Sequence, residues 1–397
     1  MRYFAIDIGS EHHVVAAVDE DEQVIVRPQS FAEDADGYRK LLELLGGPED
    51  LQVGMEATGH YWQNLFAFLV GNQFKVVLIN PLRTRRFAEE DLQRTKTDSI
   101  DALGIARFLR QKRPTPVAMA DEATRDLREL MRLRDQLVAQ QQEQVNRLHR
   151  LVDLGFPEFT RHVQDLSGPL ATTLLSRYPT ARVFAGQRPG RVAKVRYGSR
   201  HLVGEVRAVG LIADAKRSVG AHHGDVYQTE VRYLCEDLDL LRRRLDSIRD
   251  DIDKLIAEHD VGKLLVTIPG VAAITAARVI AETVDFGAFP DGNALASYAG
   301  LVPGLRHSGK HTPARGALSP LGNARLRKAL YMPTVAAVQG LNPWLTDFFQ
   351  RLVARGKPKK LALVAAMRKL LLAIFSVAKN KKPFALPHVA ASAEKPA

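Results

Sequence analysis

The chain has 397 residues, 46% of them hydrophobic and 25% charged, which is typical of a folded globular protein with two or three domains and excludes a disordered chain. The single cysteine, Cys235, excludes disulfides within the chain and cysteine-rich zinc sites. The N-terminus, MRYFAIDIGS, lacks the apolar run of a signal peptide, so we expect a cytoplasmic protein.

The net charge of +11 is unevenly distributed along the chain. Residues 1–111 carry 18 acidic and 12 basic side chains, whereas residues 292–346 carry no acidic side chain and six basic ones. From Arg351 onward there are 11 Lys or Arg and one Glu. An acidic region joined to a long basic one indicates a polyanionic partner, most simply nucleic acid. The alternative is a basic face that only maintains solubility.

The first hundred residues predict a mixed sheet with helices on both faces. Three short β-type runs form a meander, and strands then alternate with helices in the order βββαβαβα. The predicted strands are 3–8, 14–18, 23–28, 51–55 and 75–79, and the predicted helices are 37–45, 60–71 and 98–111.

Two long helices are predicted in the middle of the chain. In the second, apolar residues alternate spacings of three and four from Val231 to Leu255, which is typical of a coiled coil. The first helix, over residues 121–154, has a similar seam that Gln141 and Gln144 weaken. The pattern leaves open whether the helices pair within one chain or across a dimer. Between them, residues 158–224 hold 11 basic and four acidic side chains, with no pattern that predicts a fold.

The last third is predicted to be mainly helical. A helix, an IPGV turn and a second helix cover 264–282, and further helices are expected near 295–298 and over 324–339 and 359–378. The IPGV turn suits either backbone contacts to phosphates or plain packing. Arg368 and Lys369 interrupt the most apolar stretch, 361–378, so we predict no membrane span.

Four carboxylates are candidate metal ligands. Asp7 is expected in the middle of the first apolar strand, where an ionised side chain is costly unless it is paired or binds a metal. Glu56 follows the fourth strand, and Asp98 and Asp101 share one face at the start of a helix that Thr97 is placed to cap. Asp98 and Asp101 alone are also explained by the helix dipole. Carboxylate oxygens suit Mg²⁺ or Mn²⁺, and the order of elements and acids resembles the RuvC-like, RNase H-type nuclease fold.

The segment DIGS, followed by a strand, supports a competing interpretation. It resembles the phosphate-binding loop of actin-like sugar kinases and ATPases, which repeat such a motif in a second domain. No second D-x-G-[ST] strand turn follows here, and a basic C-terminal half does not suit a kinase of small substrates.

A serine in the acid-free stretch is a candidate nucleophile. Ser308 lies in RHSGK among basic residues that would hold a phosphate, although it could equally be an ordinary loop residue. The basic residues expected to contact nucleic acid here are Arg306, Lys310, Arg315, Arg325 and Arg327. Arg83, Arg85 and Arg86, just after the fifth strand, would contact phosphates or form a solvated loop.

Taken together in order, these segments resemble the DEDD transposases of bacterial insertion sequences, which are related to the Piv-type DNA invertases. The resemblance covers about residues 1–150 and 225–340. The segments that carry it are FAIDIGS, GMEATGHYW, NPLRTRRF, RTKTDSIDA, LVTIPGVAAITAARVIAE, and YAGLVPGLRHSGK followed by GNARLRKAL.

The resemblance implies a RuvC-like domain, a coiled coil and a transposase domain with a catalytic serine. Asp7, Glu56, Asp98 and Asp101 match the four acids, which would bind Mg²⁺ or Mn²⁺. Ser308 matches the serine expected to form a phosphoserine link to DNA. The family further implies donor and target DNA, a noncoding bridge RNA, a homo-oligomer (dimer or tetramer) and association with the bacterial nucleoid. Residues 158–224 depart from the compact members of the family.

These observations predict four regions. A RuvC-like domain would cover 1–115, coiled-coil helices 121–260, a transposase domain 261–345, and a basic helix and tail 346–397. The alternatives to a transposase are a RuvC-like junction nuclease that uses water, and a non-catalytic nucleic-acid scaffold.

Overall fold

The computed structural model describes residues 1–57, 59–90, 97–117, 119–305, 315–318 and 322–386. The chain forms two compact units, Met1–Ala120 and Asp121–Ala397.

The N-terminal unit is built on a five-stranded mixed sheet with strand order β3-β2-β1-β4-β5. The first three strands are antiparallel neighbours, whereas β4 runs parallel to β1 and to β5. The mixed sheet and the order of strands and helices along the chain are as predicted, with shifted boundaries and one additional helix, α3. The strands are β1 (Arg2–Asp7), β2 (His12–Val18), β3 (Val24–Ala32), β4 (Leu51–Glu56) and β5 (Lys75–Ile79), and the helices are α1 (Ala35–Leu45), α2 (Trp62–Gly71), α3 (Pro81–Glu90) and α4 (Asp98–Lys112).

Both faces of this sheet are covered, because alternate residues of the central strands enter two different cores. Phe4 and Ile6 pack with residues of α1 and α2 on one face. Tyr3 and Ala5 pack on the other face with Ile105 and other residues of α4. The central strands are therefore apolar on both sides, as expected for a sheet between helical layers.

The second unit contains two helices of 34 residues each, α5 (Glu122–Gly155) and α10 (Asp225–Glu258). They pack against each other within one chain and run antiparallel. At one end Thr124 Oγ1 lies 3.2 Å from His259 Nε2, and at the other the Tyr227 hydroxyl donates to the carbonyl of Leu151. Six of the eight predicted seam residues of α10 are buried, and Leu245 and Leu255 are partly buried. A coiled coil remains a prediction.

The segment between the two long helices, for which no fold is predicted, is a small domain whose core also includes residues from the adjoining ends of α5 and α10. Phe156, Phe159 and Phe184 form the centre of that core, with ring centroids 5.4 to 6.0 Å apart. Its elements are a 3-10 turn (Pro157–Arg161), α6 (Pro169–Arg177), α7 (Ala181–Ala185), α8 (Pro189–Ala193), β6 (Arg196–Tyr197), β7 (His201–Leu202) and α9 (Glu205–Lys216).

The C-terminal part is mainly helical. The helices expected near 264–282, 295–298, 324–339 and 359–378 are present, and α15 is an addition. The elements are α11 (Gly262–Leu265), α12 (Ala273–Thr283), a 3-10 turn (Phe286–Ala288), α13 (Gly292–Tyr298), β8 (Pro303–Leu305), β9 (Arg315–Leu318), α14 (Ala324–Ala336), a π turn (Ala337–Leu341), α15 (Pro343–Ala354) and α16 (Lys359–Asn380).

The helix α16 is long and apolar enough to cross a membrane by length and composition. Several of its residues nevertheless lie in the largest apolar cluster of the second unit, where Leu370 and Ile374 are fully buried. Packing thus accounts for part of the apolar character of α16, and the absence of a membrane span remains a prediction.

Candidate functional site

Two of the predicted acids end neighbouring parallel strands. Asp7 is the last residue of β1 and not in its middle as expected, and Glu56 is the last residue of β4 and not the residue after it. Ile6 pairs with Met55, so the next residues along the two strands, Asp7 and Glu56, lie side by side. Register-matched residues of parallel strands project from the same face, which here is the face of Ala5 that α4 covers.

The other two acids occupy the first turn of α4, and the direction of this helix places that turn toward the same edge. Its C-terminal end lies at the opposite edge, because Arg110 Nε donates to Glu20 O at 2.9 Å and Gln52 Nε2 donates to Pro114 O at 3.0 Å. Fifteen residues of helix span about 22 Å and the six residues of β1 about 20 Å, so α4 covers the whole strand. The first turn of α4, with Asp98 and Asp101, is therefore placed toward the edge of the sheet at which Asp7 and Glu56 end their strands.

Asp98 and Asp101 also continue the buried stripe of α4. That stripe contains Ala102, Ile105 and Leu109, and positions 98 and 101 precede it by one helical turn. The predicted cap is confirmed, since Thr97 Oγ1 accepts a hydrogen bond from Ile100 N at 3.3 Å. Asp98 is exposed and Asp101 is half-buried.

The four acids share an edge but do not form a closed ligand cluster. Across the described ranges, which include all four of them, no three His, Cys, Asp or Glu side chains lie close enough to hold a metal ion. The donors are of the hard oxygen type that suits Mg²⁺ or Mn²⁺. The fit to a divalent metal thus rests on the identity of the donors and on their common edge.

Glu56 has a partner that the sequence pattern does not reveal. Thr84, in the unpredicted helix α3, donates its hydroxyl to a carboxylate oxygen of Glu56 and is itself buried. The same hydroxyl lies 3.0 Å from Pro81 O. Thr84 lies within NPLRTRRF, one of the segments that carry the family resemblance. Its place in that segment was the one sequence feature that could have indicated a role for Thr84.

A buried histidine holds the loop after Asp7. Gly9 N donates to His13 Nδ1 at 3.3 Å, so the other ring nitrogen carries the proton and donates to Glu33 at 2.5 Å. Glu33 also accepts from the Tyr38 hydroxyl at 2.7 Å and from Asn64 Nδ2 at 3.3 Å. Burial alone would raise the pKa of Glu33, but these hydrogen bonds outweigh it and lower the pKa below its ordinary value. A charged Glu33 thereby anchors the segment that follows Asp7.

The three arginines after β5 lie on helix α3 and not in a loop as the alternative interpretation expected. Arg85 pairs with Glu89 at 3.0 Å, and the Arg83 guanidinium lies 5.3 Å from the centre of the Phe108 ring. All three, including Arg86, are exposed. They form a basic face on a helix whose buried Thr84 touches a predicted metal ligand.

The candidate serine region is only partly described. Ser308, Arg306 and Lys310 lie outside the described residues. The strands β8 and β9 on either side pair antiparallel, with Leu305 opposite Arg315. On α14, Arg325 is exposed, whereas Arg327 Nη1 donates to Ala299 O at 3.0 Å.

The IPGV turn packs against the end of α14. Gly270 has a φ of +99°, and a Cβ at that position would lie 3.1 Å from the Ala337 Cβ. Asn342 Nδ2 donates to the carbonyl of Pro269 at 3.1 Å. Of the two open interpretations, the structure thus supplies a packing role, and phosphate contact remains untested.

Comparisons with known proteins identify the family of this chain. Residues 4–157 match a family model described as a transposase, and residues 262–350 match the transposase IS116/IS110/IS902 family. The mini-circle putative transposase for IS117 of Streptomyces coelicolor is 30% identical over 363 residues, covering 85% of this chain and 84% of that protein. The pilin gene-inverting protein of Moraxella bovis is 25% identical and covers 84% of this chain and 82% of its own length. The chain therefore belongs to the IS116/IS110/IS902 family of transposases.

Proposed function

We propose that this protein moves an insertion sequence by cutting and rejoining DNA strands, with the acids of the N-terminal unit and Ser308 acting on the same phosphodiester. The observation that supports this most is the placement of Asp7 and Glu56 in register on neighbouring parallel strands. The first turn of α4, which carries Asp98 and Asp101, is directed toward that edge.

The four acids would hold a divalent metal, Mg²⁺ or Mn²⁺. When bound, such an ion stabilises negative charge developing on the phosphate oxygens. Glu56 is oriented by Thr84, and the loop after Asp7 is held through His13 and Glu33. Asp98 and Asp101 lie on α4 and not on the strands that carry Asp7 and Glu56. All four acids would therefore come together when DNA binds.

Ser308 would act as the nucleophile. Its Oγ attacks the phosphorus while the bond to the leaving DNA oxygen breaks, the hydroxyl proton passes to solvent, and the leaving oxygen is protonated. The result is a phosphoserine diester, which a hydroxyl of the second strand attacks to restore the serine and a continuous DNA strand. The assignment is supported by the family resemblance of YAGLVPGLRHSGK, and the two centres can come from different protomers.

The basic residues would position nucleic acid around these centres. Arg83, Arg85 and Arg86 form an exposed basic face on α3, and Arg325 is exposed at the start of α14. Arg306, Lys310, Arg315 and Arg327 complete the proposed set, with Arg327 also bonded to Ala299 O. Phosphate contacts of this kind fix orientation and do not read sequence.

Sequence choice would then come from a bridge RNA, as the family implies, with donor and target DNA held by a dimer or tetramer. RNA that co-purifies with the protein and maps beside its own gene would support this part of the proposal. Purified protein that exchanges strands at full rate after ribonuclease treatment would remove the RNA from the mechanism.

The acids are tested by a strand-exchange assay with titrated Mg²⁺. Asp7→Ala and Asp101→Ala should abolish exchange while the protein unfolds at its usual temperature. Asp36→Ala is the matched control, since Asp36 is also acidic in the first turn of a helix but is exposed and pairs with Arg39. The metal assignment is wrong if Asp101→Ala retains Mg²⁺-dependent exchange. Hydrolysis without exchange would favour the junction nuclease, and binding without either reaction would favour the scaffold.

A further inference from the structure

The small domain between α5 and α10 carries a concentrated positive charge. Residues 166–204 contain no acidic side chain and seven basic ones. All seven are exposed, and this segment lies wholly within the described residues. They are Arg177, Arg182, Arg188, Arg191, Lys194, Arg196 and Arg200.

Five of these cations, Arg188, Arg191, Lys194, Arg196 and Arg200, form what we call the basic edge. Val192 and Val195 are buried in the core. Arg188, Arg191 and Lys194, spaced three residues apart along α8 and its two ends, are exposed on one side of this helix. Arg196 lies on β6, and Arg200 lies in the turn that joins β6 to β7, directly before His201. The short helix and hairpin thus gather five positive charges within 13 residues.

Along the two long helices of this unit, by contrast, the cations are interleaved with acids. Arg242 pairs with Asp239, Lys254 with Asp251, and Arg147 with Glu230. Among the described residues, no ion pair involves any of the seven cations listed above. Unpaired positive charge on a rigid core creates a field that attracts polyanions.

The chemistry of the basic edge favours the phosphates of a duplex over unpaired bases. Single-stranded nucleic acid is usually held by exposed aromatic rings on which bases stack. Here Tyr178 and Phe184 are buried, and the half-buried Tyr197 ring lies 5.6 Å from that of His201. Arginine and lysine side chains alone supply phosphate contacts that are independent of sequence.

We propose that the basic edge binds duplex DNA through its phosphates, as a second DNA-binding surface on a segment of the chain that contains none of the predicted catalytic residues. The choice of DNA rests on the proposed function, because a transposase must hold DNA outside the cleaved bond. The surface would add affinity for any sequence and would make that part of the affinity strongly dependent on salt.

The test measures binding of full-length protein to a random-sequence duplex by fluorescence anisotropy, in EDTA so that no chemistry occurs. The triple variant Arg191→Ala, Lys194→Ala, Arg200→Ala should reduce the slope of log affinity against log salt by about 2.7, at about 0.9 per phosphate contact. The advantage of wild type over the variant should then shrink about 40-fold between roughly 50 and 200 mM salt.

The matched control is Arg243→Ala, Arg244→Ala, Arg249→Ala, which removes three exposed charges from a part of α10 that also carries acids. An unchanged slope in the first variant, or an equal loss in the control, would overturn the proposal. Tight binding of duplex RNA without DNA binding would also overturn it. If the triple variant does not fold, Arg200→Glu in the hairpin turn replaces it and should still lower the slope. Strand exchange by the wild-type protein is assayed in parallel. Wild-type protein that binds the duplex with the expected salt dependence but does not exchange strands would count only against the proposed function.

Discussion

Gly54, in the strand that ends at Glu56, controls how closely α4 approaches the sheet. A Cβ at this position would lie 2.5 Å from Leu109 Cδ1 and 2.8 Å from its Cγ and Cδ2. Leu109 is fully buried in the cluster it shares with Ile105 and Phe108, so its side chain can move only by displacing its packed neighbours. Gly54→Ala should therefore push α4 away from β4.

Two effects of Gly54→Ala follow from this geometry. Overpacking of a tight core costs about 1–3 kcal/mol, so the free energy of unfolding should fall by that amount. The displacement lies two residues from Glu56 and on the helix that carries Asp98 and Asp101. Because displacements of about 1 Å in a catalytic site cost up to about 100-fold in rate, strand exchange should fall about 10- to 100-fold in protein that is still folded.

The control is Gly104→Ala on the same helix, where a new Cβ meets nothing within 4 Å. It should leave exchange unchanged and stabilise the helix by up to about 1 kcal/mol. Leu109→Ala alone should cost about 2–5 kcal/mol through a cavity. In the double variant the new methyl group enters that cavity, so the two changes should be non-additive by at least about 0.5 kcal/mol.

The assays are urea denaturation and strand exchange on the wild type and the four variants. If Gly54→Ala unfolds at the wild-type urea concentration, or if the cycle is additive, α4 does not pack on β4 as described. If stability falls but exchange per folded molecule does not, the helix is not a part of the catalytic site.

Three further predictions concern single side chains. Thr84→Val should raise the Mg²⁺ concentration for half-maximal exchange about 10-fold or more, because Glu56 loses an orienting donor, whereas Thr84→Ser should not. Exchange by Thr84→Val at the wild-type Mg²⁺ requirement would show that this bond is only structural. Glu33 has a lowered pKa, so its contribution to stability is present above its ordinary value of 4.5 and is lost as the pH falls through the lowered pKa. The free energy of unfolding of Glu33→Gln should therefore depend less steeply on pH in this acid range. A pH dependence equal to that of the wild type would contradict that account. Burial raises the pKa of Cys235 to about 12, so this thiol should react with a disulfide reagent only in denaturant, and rapid labelling of native protein would refute its burial.

The sequence predicted the sheet well, because its signal is local. The apolar run 3–8 corresponds to the central strand β1 and the run 75–79 to the edge strand β5, and both strands have side chains in the cores on the two faces of the sheet. Thr97 caps α4 as its position indicated. Helix α3 was missed since its segment is mostly polar, and Thr84 and Phe87 are the buried residues among its described side chains. Pro81, at the first position of α3, is favourable for a helix start, but a proline alone does not predict a helix.

The rest depended on contacts between distant residues. The small domain after α5 is held by aromatic residues 25 or more positions apart, such as Phe159 and Phe184, which no periodicity reveals. The partner of Glu56 is likewise 28 residues away. The acids were predicted from their positions in or after strands and at the start of a helix, but the network through His13 and Glu33 required the pairing of β2 with β3.

The central claim, that Ser308 and the four acids act on one phosphodiester, is tested most directly by trapping the protein–DNA intermediate. Protein is incubated with end-labelled DNA containing an element end and Mg²⁺, then quenched in denaturant and digested for peptide mass spectrometry. The account predicts a covalent adduct on the peptide containing Ser308, absent from Ser308→Ala and from Asp7→Ala. Strand exchange by Ser308→Ala at the wild-type rate, with no adduct in any protein, would contradict it.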